Sequence, residues 1–471
     1  MSDVLARLWE LQRGDLPTHG GSTLAYVYDS GLAEADEVGR EALALYGSTN
    51  GLDPTVFPSL RKLENDLVGW AARLLQGTTA VGTVTSGGTE SILLAVQAAR
   101  DASPGIGSPS MVLPSTAHAA FHKAAHYFGV RAVVVDVDPE TFRARPDDMA
   151  TACDDTTVLV VASAPSYAHG VMDPVPAVAA VAAERGIRCH VDACIGGWVL
   201  PYLRLDGVDV PAFDFAVPGV TSISVDLHKY AYTPKGASIL LHRDAALRRA
   251  QFFAHADWPG YTMLNSTMQS TKSGAPVAAA WAVVQHIGDD GYRRLARTSY
   301  DAALRLADAV AAIDGLSVLA APATTLVALR SDERADVFTI ADEMATLRWF
   351  VQPQLSFRDQ GASLHLTVSA ATAGRLDELV QALATATRAA QAAGPVRVPA
   401  ELVAAAGELD PATLDDAAFD GLLSLAGLAG TAISGTLPDR MAPVNALLDV
   451  APPRLREALL IAFLDRLMRP S

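Results

Sequence analysis

Lys229 follows His228 directly after a short strand-like run, in the stretch SISVDLHKYAYTPKGAS at residues 222–238. A lysine at the end of a buried strand is unfavourable unless an opposite charge pairs with it, or unless it is neutral and used covalently. Lys235 follows six residues later, inside Pro-Lys-Gly. The stretch therefore predicts an amine that is either paired with an opposite charge or used covalently, with an imidazole beside it.

Residues 85–100, TSGGTESILLAVQAAR, have the composition of an anion site. Gly88 and Thr89 belong to a run of small residues that leads straight into an apolar-periodic helix. Backbone N–H groups and hydroxyls at a helix start bind anions, although an ordinary helix cap with glycines in the turn shows the same pattern. The segment is not a Walker loop, because no Gly-Lys-Ser/Thr follows, and it is not GxGxxG.

Two further segments end predicted strands with polar side chains. In CHVDACIGGW, residues 189–198, a strand ends at Asp192, which either needs a donor or a cation as partner or caps the following turn. In APSYAHGVMDPV, residues 164–175, Tyr167 and His169 lie in a loop after a strand. Loops at the carboxyl ends of parallel strands face the site in open α/β sheets, and a plain surface loop is the alternative.

His118, His122 and His126 recur at every fourth position of HAAFHKAAHYFG, which predicts that they share one face of a helix. Two such histidines can bind a metal ion. The glutamate of HExxH is absent, however, and the sequence offers no evident companion carboxylate. We therefore expect no metal site, and we expect one of these histidines in a functional pocket.

Together these residue types match what pyridoxal phosphate needs from a protein. Its phosphate needs a helix N-terminus, its ring a stacking face, its pyridine nitrogen a carboxylate and its aldehyde a lysine amine. The sequence offers an anion cradle, a histidine, a strand-end aspartate and a strand-end lysine, in that order.

The elements that must position these residues follow from the alternation along the chain. From about residue 63 to 290, short β-rich runs alternate with Ala-rich helical stretches, which is typical of an α/β domain with a largely parallel sheet. The predicted strands are SMVLPS, RAVVVDVD, TVLVVASA, IRCHVDA, SISVD and ASILLHR. The four predicted regions are an N-terminal helical arm at 1–62, a large cofactor-binding domain at 63–290, a smaller α+β domain at 291–392 and a helical C-terminal extension at 393–471. Residues 455–468 are apolar at helical spacing, so we predict a packed or interface helix there.

The overall composition indicates which kinds of molecule and which compartment suit this protein. The 471 residues carry a formal net charge of −16, which disfavours nucleic-acid binding. No apolar run of about 18 residues predicts a membrane span, and the charged N-terminus lacks the core of a signal peptide, so we expect a soluble cytoplasmic protein. The three cysteines form no disulfide framework, which fits a reducing compartment.

These motifs resemble the sphingosine-1-phosphate lyase family, in the group II decarboxylase-like branch of fold-type I enzymes that depend on pyridoxal 5'-phosphate (PLP). The resembling stretches are FPSLRKLE (57–64), VTSGGTESILLA (84–95), TAHAAFHKAAHYFGV (116–130), HGVMDPVP (169–176), HVDACIGGW (190–198) and GVTSISVDLHKYAYTPKGAS (219–238). The resemblance covers most of the chain. It implies an α/β, fold-type I transferase-like fold, PLP as cofactor, and a homodimer with shared active sites.

The resemblance also implies roles for single residues. The implied cofactor-binding residues are Gly88, Thr89, His118, Asp192, His228, Lys229 and Thr271, with Lys229 as the Schiff-base lysine, His118 stacked on the ring and Thr271 supplied by the partner subunit. The implied catalytic residues are Lys229, Tyr167 and Lys235. The implied substrate-binding residues are Asn50, Asp53 and Lys272.

Two of the residues implied to bind substrate differ from the residues that the family has at these positions. Asp53 stands where the family has histidine, and Lys272 stands where the family has arginine. An arginine binds an oxyanion through two parallel N–H groups, which a lysine does not do. A family tyrosine is missing or shifted at 260–263, which reads Gly-Tyr-Thr-Met.

We expect a PLP-dependent carbon–carbon lyase that cleaves the Cα–Cβ bond of a β-hydroxy amine, such as sphingosine-1-phosphate or a related substrate, to an aldehyde and an amine. A PLP-dependent L-amino-acid decarboxylase or related aldolase is the alternative, because both use the same electron sink. A PLP-binding protein without turnover is a more distant one.

Overall fold

The computed structural model describes residues 3–425 and 438–470. Its helices are α1 (Asp3–Leu11), α2 (Ala33–Tyr46), α3 (Pro58–Leu74), α4 (Gly88–Asp101), α5 (Ala120–Phe128), α6 (Pro146–Ala152), α7 (Val175–Glu184), α8 (Leu200–Leu205), α9 (Ala245–Arg248), α10 (Gly274–Val310), α11 (Val337–Thr346), α12 (Ala370–Ala373), α13 (Leu376–Ala393), α14 (Ala400–Glu408), α15 (Asp416–Leu425), α16 (Ala442–Val450) and α17 (Pro453–Leu467). Its strands are β1 (Val81–Thr85), β2 (Ser110–Pro114), β3 (Arg131–Val135), β4 (Thr157–Ser163), β5 (Arg188–Asp192), β6 (Val220–Asp226), β7 (Ser238–His242), β8 (Phe253–His255), β9 (Met263–Asn265), β10 (Leu316–Val318), β11 (Leu326–Ser331), β12 (Gln352–Gln354) and β13 (Ser363–Thr367).

The largest sheet has seven strands in the order β1-β7-β6-β5-β4-β2-β3. Strands β6, β5, β4, β2 and β3 are parallel neighbours, whereas β7 is antiparallel to both β6 and β1. Every residue of β2, β4 and β7 is buried, as expected for strands covered on both faces. The predicted mainly parallel α/β fold is confirmed, with the six predicted strands as β2 to β7. The prediction omitted β1, where Gly82 and two threonines interrupt the apolar pattern.

One edge of this sheet collects the candidate site residues. Because β1 and β6 both run antiparallel to β7, β1 has the same direction as the parallel strands. The carboxyl ends of β1, β4, β5 and β6 therefore lie at the same edge. The chain places the start of α4, the loop after β4, Asp192 and Lys229 at these ends.

The second sheet, β10-β11-β13-β12, is antiparallel throughout. Its core is shared with α11 and α13 and includes Leu329, Ile340, Leu366 and Leu383. The N-terminal arm joins this lobe, because the Leu24 N–H donates to the Phe350 carbonyl and the Thr367 N–H donates to the Leu24 carbonyl. Helix α10 runs across the predicted boundary at 290/291 and has non-helical backbone at Gly288, where φ is 62°.

The C-terminal helices α14 to α17 pack around a separate apolar cluster that includes Leu402, Phe419 and Leu447. In α17, Leu455 and Leu459 are buried, whereas Leu460, Ile461 and Leu464 are exposed on another face. The helix predicted at 455–468 is therefore packed along one face. Across residues 3–425 and 438–470, no helix combines the length and the apolar character that crossing a bilayer requires.

Candidate active site

Lys229 lies in the turn after β6, and its amine is paired inside the protein. Its Nζ atom lies 2.9 Å from Oδ2 of Asp226, the last residue of β6. Burial, the largest single influence, lowers the pKa of the Lys229 amine, but the surrounding groups, Asp226 foremost, together raise that pKa well above its ordinary value. Ser238 donates from Oγ to Asp226 Oδ1 at 2.5 Å and so holds the other carboxylate oxygen. Pairing with an opposite charge is thus how this structure satisfies the buried lysine.

The turn from β1 into α4 forms the predicted anion cradle. Gly88 begins α4, and a Cβ atom placed on it would lie 2.7 Å from Cys194 Sγ and 2.8 Å from Asp226 Oδ1. Gly87 faces the ring of His228, since a Cβ atom there would lie 3.5 Å from its Cε1. Burial lowers the pKa of the His228 imidazole, and its buried Nδ1 has no hydrogen-bond partner among the described residues. The helix start and the turn after β6 therefore meet.

Glu90 ties this cradle to a distant part of the chain. Its Oε2 atom accepts hydrogen bonds from the backbone N–H and the hydroxyl of Ser86, at 2.6 and 2.8 Å. Its Oε1 atom accepts from the backbone N–H of Met268 at 2.8 Å. Thr89, in the first turn of α4, is exposed.

Asp192 ends β5 at the same sheet edge. Its Oδ1 atom accepts a hydrogen bond from the backbone N–H of Cys194 at 3.1 Å and another from Ser224 Oγ at 3.3 Å. Its Oδ2 atom receives no hydrogen bond from any described residue, although Asp192 is only 8% exposed. Asp192 thus both caps the following turn through the Cys194 N–H and has a donor partner in Ser224, and its Oδ2 atom remains for a ligand.

Tyr167 lies in the loop after β4, as predicted. Its ring stacks on His365 with 4.0 Å between the centroids, and its centroid is 6.5 Å from that of His118. Burial raises the pKa of the Tyr167 phenol, so the hydroxyl stays protonated at neutral pH. His169, from the same loop, instead stacks on Phe142 with 4.3 Å between the centroids.

The prediction that His118, His122 and His126 share one helix face is wrong for His118. Helix α5 begins only at Ala120, and His118 Nδ1 accepts a hydrogen bond from the Ala120 N–H at 3.2 Å. The imidazole thus binds the backbone at the helix start instead of extending from a helical turn. Within 3–425 and 438–470, no group of three or more His, Cys, Asp or Glu side chains is arranged to hold a metal ion.

Lys235 contacts the N-terminal arm. Although the residue as a whole is exposed, its Nζ atom donates to the carbonyls of Tyr26 and His228, at 2.9 and 3.3 Å. The same atom lies 4.9 Å from the centroid of the Tyr28 ring. Burial of the ammonium group, together with the nearby Lys229 charge, lowers the pKa of Lys235 to about 8. This amine is therefore partly neutral close to physiological pH.

Two of the three residues predicted to bind substrate, Asn50 and Lys272, lie together in a second group. Asn50 Oδ1 accepts a hydrogen bond from the backbone N–H of Lys272 at 3.2 Å, and Lys272 Nζ lies 2.8 Å from Glu64 Oε2. Asp53 is exposed, and hydrogen bonds from Thr55 lower the pKa of its carboxyl. Lys272 thus already has a carboxylate partner within its own chain.

A cavity of about 350 Å³ lies beside this second group, and Leu52, Glu64 and Lys272 belong to its lining. Thr271 is exposed next to Lys272. The residues that line this cavity do not include Lys229. In the described chain no hydrogen bond or ion pair joins the second group to Lys229, so the substrate-side roles stay predictions.

Sequence reasoning missed Asp226, Glu90 and Tyr28. Asp226 stands three residues before Lys229, and the unfavourable burial of the lysine was itself the signal that a counter-ion lies close by. Glu90 lies inside the cradle segment, directly after Thr89, where an acidic side chain in the first turn of a helix suits the backbone N–H groups. Tyr28 is far from Lys235 in the sequence, and no local pattern connects the two.

Replacing Gly88 by alanine is expected to destabilise the protein by about 1–3 kcal/mol, because the new Cβ atom overpacks a closed site. Gly87→Ala is the matched control, since its Cβ would make its nearest contact at 3.5 Å and its φ of 169° suits any residue. Denaturant unfolding of the two full-length variants compares them. Equal losses of stability would contradict the close approach of α4 to Asp226.

Residues 30–332 match the family model described as the pyridoxal-dependent decarboxylase conserved domain. The chain belongs to the pyridoxal-dependent decarboxylase family. Residues 400–466 match a second model, described as a C-terminal putative HTH domain of pyridoxal-dependent enzymes.

Three relatives place the chain within this family. A solved structure of a sphingosine-1-phosphate lyase from Burkholderia pseudomallei is 35% identical, with a TM-score of 0.78, over 83% of this chain and 91% of that one. The sphingosine-1-phosphate lyase of Dictyostelium discoideum is 37% identical over 73% of this chain and 64% of its own length. A probable L-tyrosine/L-aspartate decarboxylase of Methanothermobacter thermautotrophicus is 33% identical over 64% of this chain and 81% of its own length. The predicted membership of the sphingosine-1-phosphate lyase family is confirmed.

The alignments differ in how much of each relative they cover. The chain spans 56–66% of the length of the curated eukaryotic sphingosine-1-phosphate lyases that it matches. The archaeal decarboxylase and the bacterial structure are covered more fully, at 81% and 91%.

PLP is the cofactor of the pyridoxal-dependent decarboxylase family, and the residues at the sheet edge fit it. Lys229 provides a buried amine for the aldehyde, and the free Oδ2 atom of Asp192 suits a ring N–H group. The N–H groups in the first turn of α4, which begins at Gly88, suit a phosphate, and the buried Nδ1 of His228 lacks a partner among the described residues. The cofactor predicted from the sequence is confirmed, while the role of each single residue stays a prediction.

Proposed function

We propose that this protein is a PLP-dependent aldehyde-lyase that cleaves the Cα–Cβ bond of a β-hydroxy amine and releases an aldehyde and an amine. One observation carries the proposal: a paired lysine, an aspartate with a free carboxylate oxygen and a helix start meet at one sheet edge. The chain that carries them is 35% identical to a bacterial sphingosine-1-phosphate lyase.

The chain's own residues would hold the cofactor in a defined orientation. The chemistry that PLP supplies when bound is an aldehyde that condenses with amines and a protonated ring that accepts the electrons of a breaking bond. Lys229 would hold the aldehyde end, and the carboxylate of Asp192 would keep the ring nitrogen protonated. The N–H groups at the start of α4, together with His228, would bind the phosphate. His118 is the candidate for the stacking face.

The proposed proton transfers use Lys235, whose pKa is lowered from its ordinary value, and Tyr167, whose pKa is raised from its ordinary value. Cleavage needs a base for the substrate hydroxyl, and Lys235 suits this role because burial and the Lys229 charge lower its pKa to about 8. Tyr167 suits the role of a hydrogen-bond donor, because burial raises the pKa of its phenol. Lys229 is the candidate that returns a proton to the carbon of the amine product.

Turnover is expected to rise with pH through a midpoint near 8, because Lys235 accepts a proton only in its neutral form. Lys235→Arg keeps the positive charge at every practical pH and is expected to lower the plateau rate at least about a hundredfold. Tyr167→Phe is the control, since it should lower the rate without moving the midpoint. A wild-type profile that stays flat from about pH 7 to 9 would exclude Lys235 as the base.

The substrate class follows from family membership, and the second group of residues refines it. A phosphorylated long-chain β-hydroxy amine, sphingosine-1-phosphate or a close relative, is the substrate that we propose. Asp53 and Lys272 differ from the family residues at these positions, and Lys272 is already paired with Glu64. We therefore expect a pocket that accepts the phosphate through fewer charged contacts than an arginine would provide.

A PLP-dependent amino-acid decarboxylase is the second candidate. The chain covers 81% of an archaeal probable decarboxylase at 33% identity, which is the observation in its favour. Both reactions use the same lysine, aspartate and phosphate cradle. The substrate pocket decides between them, because the bond held perpendicular to the ring is the one that breaks.

We also propose a homodimer with shared active sites. Between β7 and α10 the chain exposes six large apolar side chains, Phe252, Phe253, Trp258, Tyr261, Leu264 and Met268. Such a patch suits a subunit interface. In the sequence it precedes Thr271, for which the resemblance implies a role at the partner's cofactor.

The proposed location is the cytoplasm, and the proposed partners exclude nucleic acid. Three cysteines are free, which suits a reducing compartment. The segment at 400–466 has ten Asp and Glu against four Arg, so its helices are poorly suited to a DNA phosphate backbone.

The experiment that tests the proposed activity compares two substrate classes on the purified, PLP-loaded protein. Dihydrosphingosine-1-phosphate is one substrate, a panel of L-amino acids is the other, and Lys229→Ala is the blank. A long-chain aldehyde with phosphoethanolamine supports the lyase. Release of CO₂ from an amino acid without any aldehyde supports the decarboxylase.

A further inference from the structure

Polar side chains behind Asp192 form a continuous hydrogen-bonded chain across two strands. His190 and Asp192 lie opposite Ser222 and Ser224 in the register of β5 and β6. His190 Nδ1 is 2.9 Å from Ser222 Oγ, and His190 Nε2 is 3.2 Å from Ser224 Oγ. Ser224 Oγ in turn lies 3.3 Å from Asp192 Oδ1. The series of hydrogen bonds therefore extends from Ser222 through His190 and Ser224 to the carboxylate of Asp192.

The side chains of this hydrogen-bonded series are buried. His190 and Ser224 are 0% exposed, and Ser222 is 5% exposed. The fully buried ring of Phe121 packs against His190, with 5.9 Å between the ring centroids. Buried polar groups in such surroundings are stable only when they bond to each other, so their geometry is well determined.

Donors and acceptors can be assigned to each hydrogen bond of this series. Burial lowers the pKa of His190 to about 4, so the imidazole is neutral and has one N–H group. An ionised carboxylate only accepts hydrogen bonds, so the Ser224 hydroxyl donates to Asp192. The Ser224 oxygen then accepts from His190 Nε2–H, which leaves Nδ1 to accept from the Ser222 hydroxyl.

We infer that His190 and Ser224 are positioning residues that orient Asp192 toward the ring nitrogen of the cofactor. Ser224 and the Cys194 N–H hold Oδ1, so Oδ2 is the atom left to meet the ring. The hydrogen bond from Ser224 also stabilises negative charge on the carboxylate, which keeps the shared proton on the ring nitrogen. The inference rests on PLP as cofactor and not on which substrate bond is cleaved.

The test measures the affinity of the full-length protein for PLP and for the carbon analogue in which a C–H group replaces the ring nitrogen. Ser224→Ala is expected to weaken PLP binding about tenfold, the usual effect of one charge-assisted hydrogen bond. The same variant should bind the carbon analogue as wild type does, because that analogue has no N–H group for Asp192. A merely structural defect would weaken both ligands.

Variants of His190 apply the same test to the hydrogen bond between His190 and Ser224. His190→Phe removes the donor to Ser224 and is expected to weaken PLP, but not the analogue, to a similar extent. His190→Gln keeps an amide N–H near the position of Nε2 and should restore most of the affinity. If Ser224→Ala does not fold, the comparison of the His190 variants decides the question by itself.

Ser163→Ala is the matched control. Ser163 is the β4 partner of Asp192 in the sheet register, is 1% exposed, and has no hydrogen-bond partner for its hydroxyl among the described residues. It should therefore bind both ligands as wild type does. Equal weakening of PLP and the carbon analogue by Ser224→Ala, or no weakening of either, would overturn the inference. A failed lyase assay alongside a PLP-selective loss would overturn only the proposed activity.

Discussion

Lys229→Ala is expected to abolish covalent cofactor attachment and to lower turnover by at least about a thousandfold. Lys229 lies in the turn after β6 and pairs with Asp226, whose carboxylate closely approaches Gly88 at the start of α4. Its removal also leaves the buried carboxylate of Asp226 without its cation, which costs about 3–5 kcal/mol of stability. Borohydride reduction followed by mass spectrometry of the intact protein measures the attachment, and denaturant unfolding measures the stability.

Two further variants separate these effects. Lys229→Ala combined with Asp226→Asn removes the unpaired charge, so it should regain stability while it stays inactive. Lys235→Ala removes the second lysine of the same loop and should keep the reducible link to the cofactor. A Lys229→Ala protein that still retained cofactor covalently after reduction would contradict the assignment of Lys229.

Asp192→Asn is expected to lower turnover by about a hundredfold or more, because it removes the charge that keeps the ring nitrogen protonated. The amide nearly preserves the shape of the side chain, and its oxygen can still accept from Ser224 and the Cys194 N–H. Steady-state kinetics should show the loss mainly in kcat, and the absorbance of the bound cofactor should change with it.

Asp173→Asn is a useful comparison for Asp192→Asn. Asp173 is also buried, and it accepts hydrogen bonds from the backbone N–H groups of Ala144 and Ser163 at 2.8 Å. Its substitution should lower stability without the change in cofactor absorbance. Asp192→Asn with a wild-type kcat and an unchanged cofactor spectrum would show that Asp192 does not face the ring.

Sequence analysis predicted those features that leave a pattern in residues close together along the chain. Strands β2 and β4 are fully buried and nearly all apolar, and β3, β5 and β6 are short β-rich runs between helical stretches, so β2 to β6 could be predicted together with the sheet edge at which they end. Asp192 and Lys229 could be predicted for the same reason, since a polar residue at the end of such a run needs a partner. The cradle at Gly88 follows from small residues placed just before a helical pattern.

The rest depends on contacts between distant parts of the chain. Lys272 pairs with Glu64 across 208 residues, and Glu90 binds the Met268 N–H across 178. No single-sequence pattern reports such pairs. Periodicity gave the correct repeat for His122 and His126, but it does not determine where a helix begins. His118 therefore had to be placed by its bond to the Ala120 N–H.

The measurement that tests the central claim most directly is product analysis in D₂O. PLP-loaded protein is incubated with dihydrosphingosine-1-phosphate, and mass spectrometry quantifies every product. The proposed lyase predicts one long-chain aldehyde for each phosphoethanolamine, one deuteron on the carbon that lost its bond, and neither product with Lys229→Ala. No aldehyde from the phosphorylated substrate, together with an amine and CO₂ from an L-amino acid in a parallel incubation, would contradict carbon–carbon cleavage.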